Sequence, residues 1–88
     1  MKFIKEKNGF KSYKSEDGFK VYYGIKGAVS GDNDINPEET ICLISGKIKV
    51  IIGDIEDELS APVEIKILAK TYHKIEALSD VVFLVFEK

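Results

Sequence analysis

Residues 63–86 read VEIKILAKTYHKIEALSDVVFLVF, and their alternation decides the fold. In VEIKIL, Val63, Ile65 and Ile67 fall on one side while Glu64 and Lys66 fall on the other, the period of a strand with one dry face. HKIEAL repeats the pattern, with His73, Ile75 and Ala77 together and Lys74 and Glu76 opposite. VVFLVF is apolar on both sides, so each of its faces needs cover: the core on one, and a second sheet or a subunit on the other. Working back along the chain, KIKVII places Ile48, Val50 and Ile52 on one face and Lys47 and Lys49 on the other. TICLIS meets this run at Ser45-Gly46, which predicts a hairpin between the two. Earlier still, Phe19, Val21, Tyr23 and Ile25 alternate with Lys20, Tyr22 and Gly24. Seven or eight short strands separated by Gly, Asn, Asp, Ser or Pro, with no helical periodicity, predict an all-β antiparallel sandwich or barrel.

The chain has 88 residues, which predicts a single domain spanning residues 1–88. At 44% hydrophobic and 32% charged it can bury a core, and it is too evenly charged for a disordered tail. The net charge of -2 argues against nucleic acid as a partner, whose affinity comes from neutralised phosphates. All 13 basic residues are lysines, so no planar fork for bidentate anion recognition exists. Seven of them stand in residues 1–26 against Glu6, Glu16 and Asp17. That lysine-rich start reads as the solvated side of edge strands in preference to an anion-binding face. The single cysteine, Cys42, excludes an internal disulfide framework and fits a buried small hydrophobe between Ile41 and Leu43. The opening MKFIKEKNGF has charges throughout and no apolar signal core, and no stretch approaches the roughly 18 apolar residues of a membrane span. A cytoplasmic protein with no membrane partner is expected. No glycine-rich phosphate loop, Ser-His-Asp order or CxxC pair is present.

Chemistry is carried by two residues. Glu39, Ile41 and Leu43 alternate on one side of their strand; if that side is the interior, Glu39 enters the space that also receives His73. A buried carboxylate is costly alone, and a histidine is its natural partner. Such a pair can serve as base and acid on a small ligand, or stand as a satisfied core pair. Tyr22, Tyr23 and Tyr72 offer aromatic faces and hydroxyls for a pocket, and equally for packing.

The stretch GAVSGDNDINPEETICLISG (residues 27–46) resembles the first motif of the cupin superfamily, G-x5-H-x-H-x3-E-x6-G, with Gly27, Glu39 and Gly46 in register. ILAKTYHKIEA resembles the second motif through Ala69, Thr71, Tyr72 and His73, and GKIKVIIGD between them looks like the family's central hairpin. The resemblance implies a small double-stranded β-helix, or jelly-roll, barrel. It also implies a divalent metal held by two His and one Glu of the first motif and one His of the second. Here Asn33 and Ile35 stand at the two His positions, so only Glu39 and His73 remain; Leu68 and Lys70 replace the second motif's Pro and Gly. An isoleucine cannot ligate, and an Asn oxygen suits hard cations better than the metals imidazole favours.

The expectation is therefore a barrel that binds a small polar molecule without a full metal centre, with no resident cofactor, its cavity lined by Glu39, His73, Tyr23 and Asn33. The alternative is a metal-dependent enzyme of isomerase, dioxygenase or decarboxylase type acting on a small sugar or oxo acid. In it Asp34 or Asp32 would join Glu39 and His73 around a divalent metal. Against that stands the reading of GDNDINP as an exposed turn segment, since Asx and Gly residues cap their own backbone. A third possibility is a solid-cored interaction module. The two apolar faces of VVFLVF predict a homodimer.

Overall fold

The computed structural model describes residues 1–87. They form ten strands: β1 (Lys2–Lys7), β2 (Phe10–Lys14), β3 (Lys20–Gly24), β4 (Val29–Asn33), β5 (Glu39–Ser45), β6 (Lys47–Ile52), β7 (Ile55–Ser60), β8 (Val63–Ile67), β9 (His73–Ala77) and β10 (Val81–Glu87). Strands beyond the expected seven or eight come from segments such as KFIKEK, exposed at every position, and IEDELS, exposed at all but Leu59. Neither carries a dry face that alternation could detect; each is held as a strand by its ladder with the neighbour. Among the described residues no helix is long and apolar enough to cross a membrane.

All ladders are antiparallel and form two sheets, a six-stranded one ordered β1-β2-β3-β10-β5-β8 and a four-stranded one ordered β4-β9-β6-β7. The sheets face each other as a sandwich. β5 and β6 do not form the expected hairpin: β5 pairs with β10 and β8, whereas β6 pairs with β7 and β9. The single residue between them, Gly46, turns the chain from one sheet to the other at φ +91°. A side chain there would collide with the Asp80 carbonyl and lie 2.7 Å from Val81 Cγ1. The Lys47 N–H donates to Ser79 Oγ at 3.0 Å and the Ala61 N–H to the Gly46 carbonyl at 2.9 Å, pinning the corner. A corner without Cβ and a hairpin turn share the same residue preferences, so Ser45-Gly46 carries no signal that separates them.

The inward faces follow the alternation. Ile41 and Leu43 of β5, Ile65 and Ile67 of β8, Val81, Phe83 and Val85 of β10, Ile48 and Val50 of β6, and Ile75 and Ala77 of β9 make one buried cluster with Phe10 and Ala28. Phe83 is its anchor, 1% exposed, stacked on Tyr22 at 4.9 Å and meeting Phe10 edge-on at 5.4 Å.

Candidate functional site

The hydrophobic cluster does not fill the space between the sheets. A cavity of about 510 Å³ remains. It lies toward the edge strands β1 and β4 and the segment leading into β5, within the size range of small-molecule sites.

Glu39 and His73 reach it from opposite sheets. Glu39 opens β5 and is two residues before Ile41, so the alternation that buries Ile41 and Leu43 carries its carboxylate inward. His73 opens β9 and shares the inner face with Ile75 and Ala77. Their side chains are 13% and 9% exposed, and His73 Nε2 lies 3.7 Å from Glu39 Oε1. Close approach of β4 frames the imidazole: Gly31 has φ +85°, and a Cβ there would sit 3.0 Å from both His73 Cδ2 and Nε2. Only a residue without a side chain lets that backbone pass.

Burial pushes the His73 pKa below its usual value, partly offset by the Thr71 backbone, although Nδ1 makes no hydrogen bond of good geometry. Burial pushes the Glu39 carboxyl upward; the neighbouring Glu87 carboxylate adds to this by charge and by a hydrogen bond, and Lys20 opposes it. Both groups are thus biased toward their neutral forms, a base-and-acid pair held just beyond direct hydrogen-bond contact.

Asn33 lines the cavity, paired across the ladder with His73. Its Oδ1 accepts from the Ile35 N–H at 3.3 Å, a local Asx turn. Tyr23 is outside the lining: it projects from the outer face of the six-stranded sheet, 41% exposed, against Tyr13. Tyr22 takes the place expected for it, lining the cavity on the inner face with its hydroxyl pKa raised chiefly by burial. Four further groups were not anticipated. Lys20 lines the wall and bridges to Glu87 at 3.4 Å. Lys5 and Lys7 line it from β1. Asn36 is 7% exposed; its Nδ2 donates to the Pro37 and Leu68 carbonyls, both at 2.9 Å, leaving Oδ1 buried with no donor. Lys20 and Tyr22 were readable as the alternate face of β3. Nothing in the sequence marks Asn36.

The residues present do not fit the family's metal centre. Of its ligand positions, Glu39 and His73 converge; Ile35 is apolar and 84% exposed, and the Asn33 oxygen is engaged in its own turn. Asp34 is exposed and outside the cavity lining, and Asp32 accepts a hydrogen bond from the Tyr72 hydroxyl. Among the described residues no three His, Cys, Asp or Glu side chains gather as a metal-ligating group.

No protein-family model and no curated protein matches the sequence. Solved structures do match in shape. An RmlC-like cupin from Shewanella frigidimarina superposes with a TM-score of 0.80 over 96% of this chain and 79% of that one, at 12% identity. A sugar phosphate isomerase of the cupin superfamily from Silicibacter pomeroyi gives 0.75 over 88% of this chain and 57% of that one, at 17% identity. A salicylate 1,2-dioxygenase from Pseudaminobacter salicylatoxidans gives 0.84 over 92% of this chain and 26% of that one, at 8% identity. Identities this low speak to architecture alone. The antiparallel sheets, the cavity between them and these superpositions together identify the chain as having a cupin-like fold.

Proposed function

We propose that this protein binds a small polar molecule between its two sheets, held by Glu39 and His73 with Asn33, Asn36 and Tyr22, and without a full metal centre. The observation that carries the proposal is the Glu39–His73 pair, 3.7 Å apart from opposite sheets on the wall of one cavity. A satisfied core pair would be packed against side chains. Here the pair borders open space, and Asn33, Asn36 and Tyr22 line the same cavity. A ligand hydroxyl is the group that can donate to a carboxylate or amide oxygen and accept from an imidazole.

The alternative is a metal-dependent isomerase or dioxygenase, supported by the names of two structural neighbours. It has against it the two missing ligand positions. One experiment separates the readings. Protein purified without chelator or affinity tag is assayed for metal by mass spectrometry and for thermal shift against neutral sugars, hydroxy acids and oxo acids, beside Glu39→Gln and His73→Gln. Expected are a shift with members of the panel that either substitution abolishes, and metal well below stoichiometric. Near-stoichiometric transition metal that disappears in His73→Gln would overturn the metal-free reading in favour of the enzyme.

The outer face of the six-stranded sheet supports a homodimer as part of the same proposal. Val82 and Leu84 are half-buried and Phe86 is 40% exposed there, flanked by Tyr23. Light scattering at micromolar concentration should give twice the chain mass; a clean monomer removes the dimer and leaves the binding proposal untouched.

A further inference from the structure

The start of the chain belongs to the cavity, and a single extra residue puts it there. Phe3 pairs with Tyr13, and Lys5 pairs with Ser12, so the register shifts between Phe3 and Lys5, leaving Ile4 as a β-bulge. Regular pairing from Phe3 would set Ile4 opposite Ser12 and Lys5 opposite Lys11 on the outer face. With the bulge, Lys5 and Lys7 sit opposite Ser12 and Phe10, both buried on the inner face, and Glu6 is set opposite Lys11 on the outer one. The strand thereby turns its lysines toward the cavity and its acid away.

The charges that result are unbalanced. Lys5, Lys7 and Lys20 line the cavity, and Glu39 is the one acid that does so among the described residues. Lys20 is compensated by Glu87 at 3.4 Å. Neither Lys5 nor Lys7 has a carboxylate within salt-bridge distance among the described residues. Two uncompensated ammonium groups thus share a cavity with the Glu39–His73 pair.

We infer that the ligand is a small hydroxylated anion, its charged group taken by Lys5 and Lys7 and a hydroxyl taken by the Glu39–His73 pair. This rests on the binding proposal above and names the ligand's class. Ammonium groups are compact point charges that accept carboxylate or phosphate alike, so the two share this chemistry. The bulge sets which face the lysines present: Lys5 and Lys7 line the cavity while their strand stays exposed along its length.

Four probes test the inference by calorimetry at low ionic strength: gluconate, glucose 6-phosphate, glucose and propionate. Gluconate or glucose 6-phosphate should bind at least tenfold more tightly than glucose and propionate; which of the two is tighter separates carboxylate from phosphate. The double variant Lys5→Gln/Lys7→Gln, on an exposed edge strand, should keep its melting temperature and lose about tenfold in affinity for the anion, with a weaker salt dependence. Glucose binding as tightly as gluconate would overturn the anion and leave the binding proposal standing, as would full affinity in the double variant. Propionate binding as tightly as gluconate would overturn the hydroxyl. If no probe binds, and the wider panel of sugars and acids also fails, the binding proposal falls together with this one.

Discussion

The two faces of the six-stranded sheet do not divide by polarity alone. The outer face carries Val21, Tyr13, Tyr23, Leu84 and Phe86, with Tyr13 and Tyr23 in edge contact at 5.6 Å and Phe19 against Phe86 at 5.2 Å. The inner face carries Phe83, Leu43 and Ile41, and in the same rows Ser12, Lys20, Tyr22 and Glu39. Apolar and polar side chains stand on both sides, with Lys11, Thr40, Glu64 and Lys66 outside, and the inner face turns polar where the sheets part around a cavity. Burial, therefore, separates core from cavity wall only after the opposing sheet is in place.

Core truncation probes this contrast most strongly. Phe83→Ala removes the inner anchor and should cost about 3–5 kcal/mol in chemical denaturation. Leu84→Ala, one residue on and on the outer face, should cost less than half as much. Equal losses would mean that the outer face is as tightly packed as the inner one, and the distinction between them would fail.

Gly31→Ala acts on the cavity wall directly. It places a Cβ at φ +85° and 3.0 Å from the His73 ring, and the left-handed backbone alone should cost about 1–2 kcal/mol. The ring must also move, so its NMR titration should shift from that of the natural protein. A loss of stability with an unmoved titration would show that Gly31 matters to the backbone and not to His73.

The smallest effect is in pH dependence. The folded-state pKa of His73 lies below its unfolded value, so the unfolded chain binds the proton first and stability falls as pH drops below about 6.5. Glu39 has the opposite sign: its raised pKa makes the folded state hold a proton longer, so its contribution is present below its ordinary carboxyl value and is lost as pH rises through the folded value. Melting temperature followed from pH 4.5 to 8 should fall less steeply on the acid side in His73→Gln than in the natural protein. Parallel curves would mean that burial does not perturb the imidazole.

The placement of Glu39, His73 and Asn33 in the candidate site was legible in the sequence. Glu39 and His73 were placed on inward faces by counting twos from Ile41 and Ile75, which works because one face of each strand meets the core. Asn33 followed from the spacing of the cupin-like motif. The sequence favours Tyr23 over Tyr22 because Tyr23 shares a face with Phe19 and Val21, whereas Tyr22 shares one with Lys20 and Gly24. That preference assumes that the more apolar face is the inner one, and β3 violates it by packing aromatics outward while Lys20 serves the cavity. Lys5 and Lys7 look solvated in the sequence for a related reason: a bulge in a strand exposed along its length leaves no trace in hydrophobic periodicity.

The sequence by itself determined the strands with a dry face, the residues that share each face, and the class of fold, because side-chain alternation is a local property of extended backbone with a period of two. Only the tertiary structure decided which sheet β5 and β6 each join, which face of β3 looks inward, and that the lysines of β1 meet Glu39 and His73 across one cavity. Those outcomes depend on ladder hydrogen bonds between residues far apart in the chain, on a corner with room for nothing larger than Gly46, and on one bulged residue. Each of these moves a whole strand without altering its pattern.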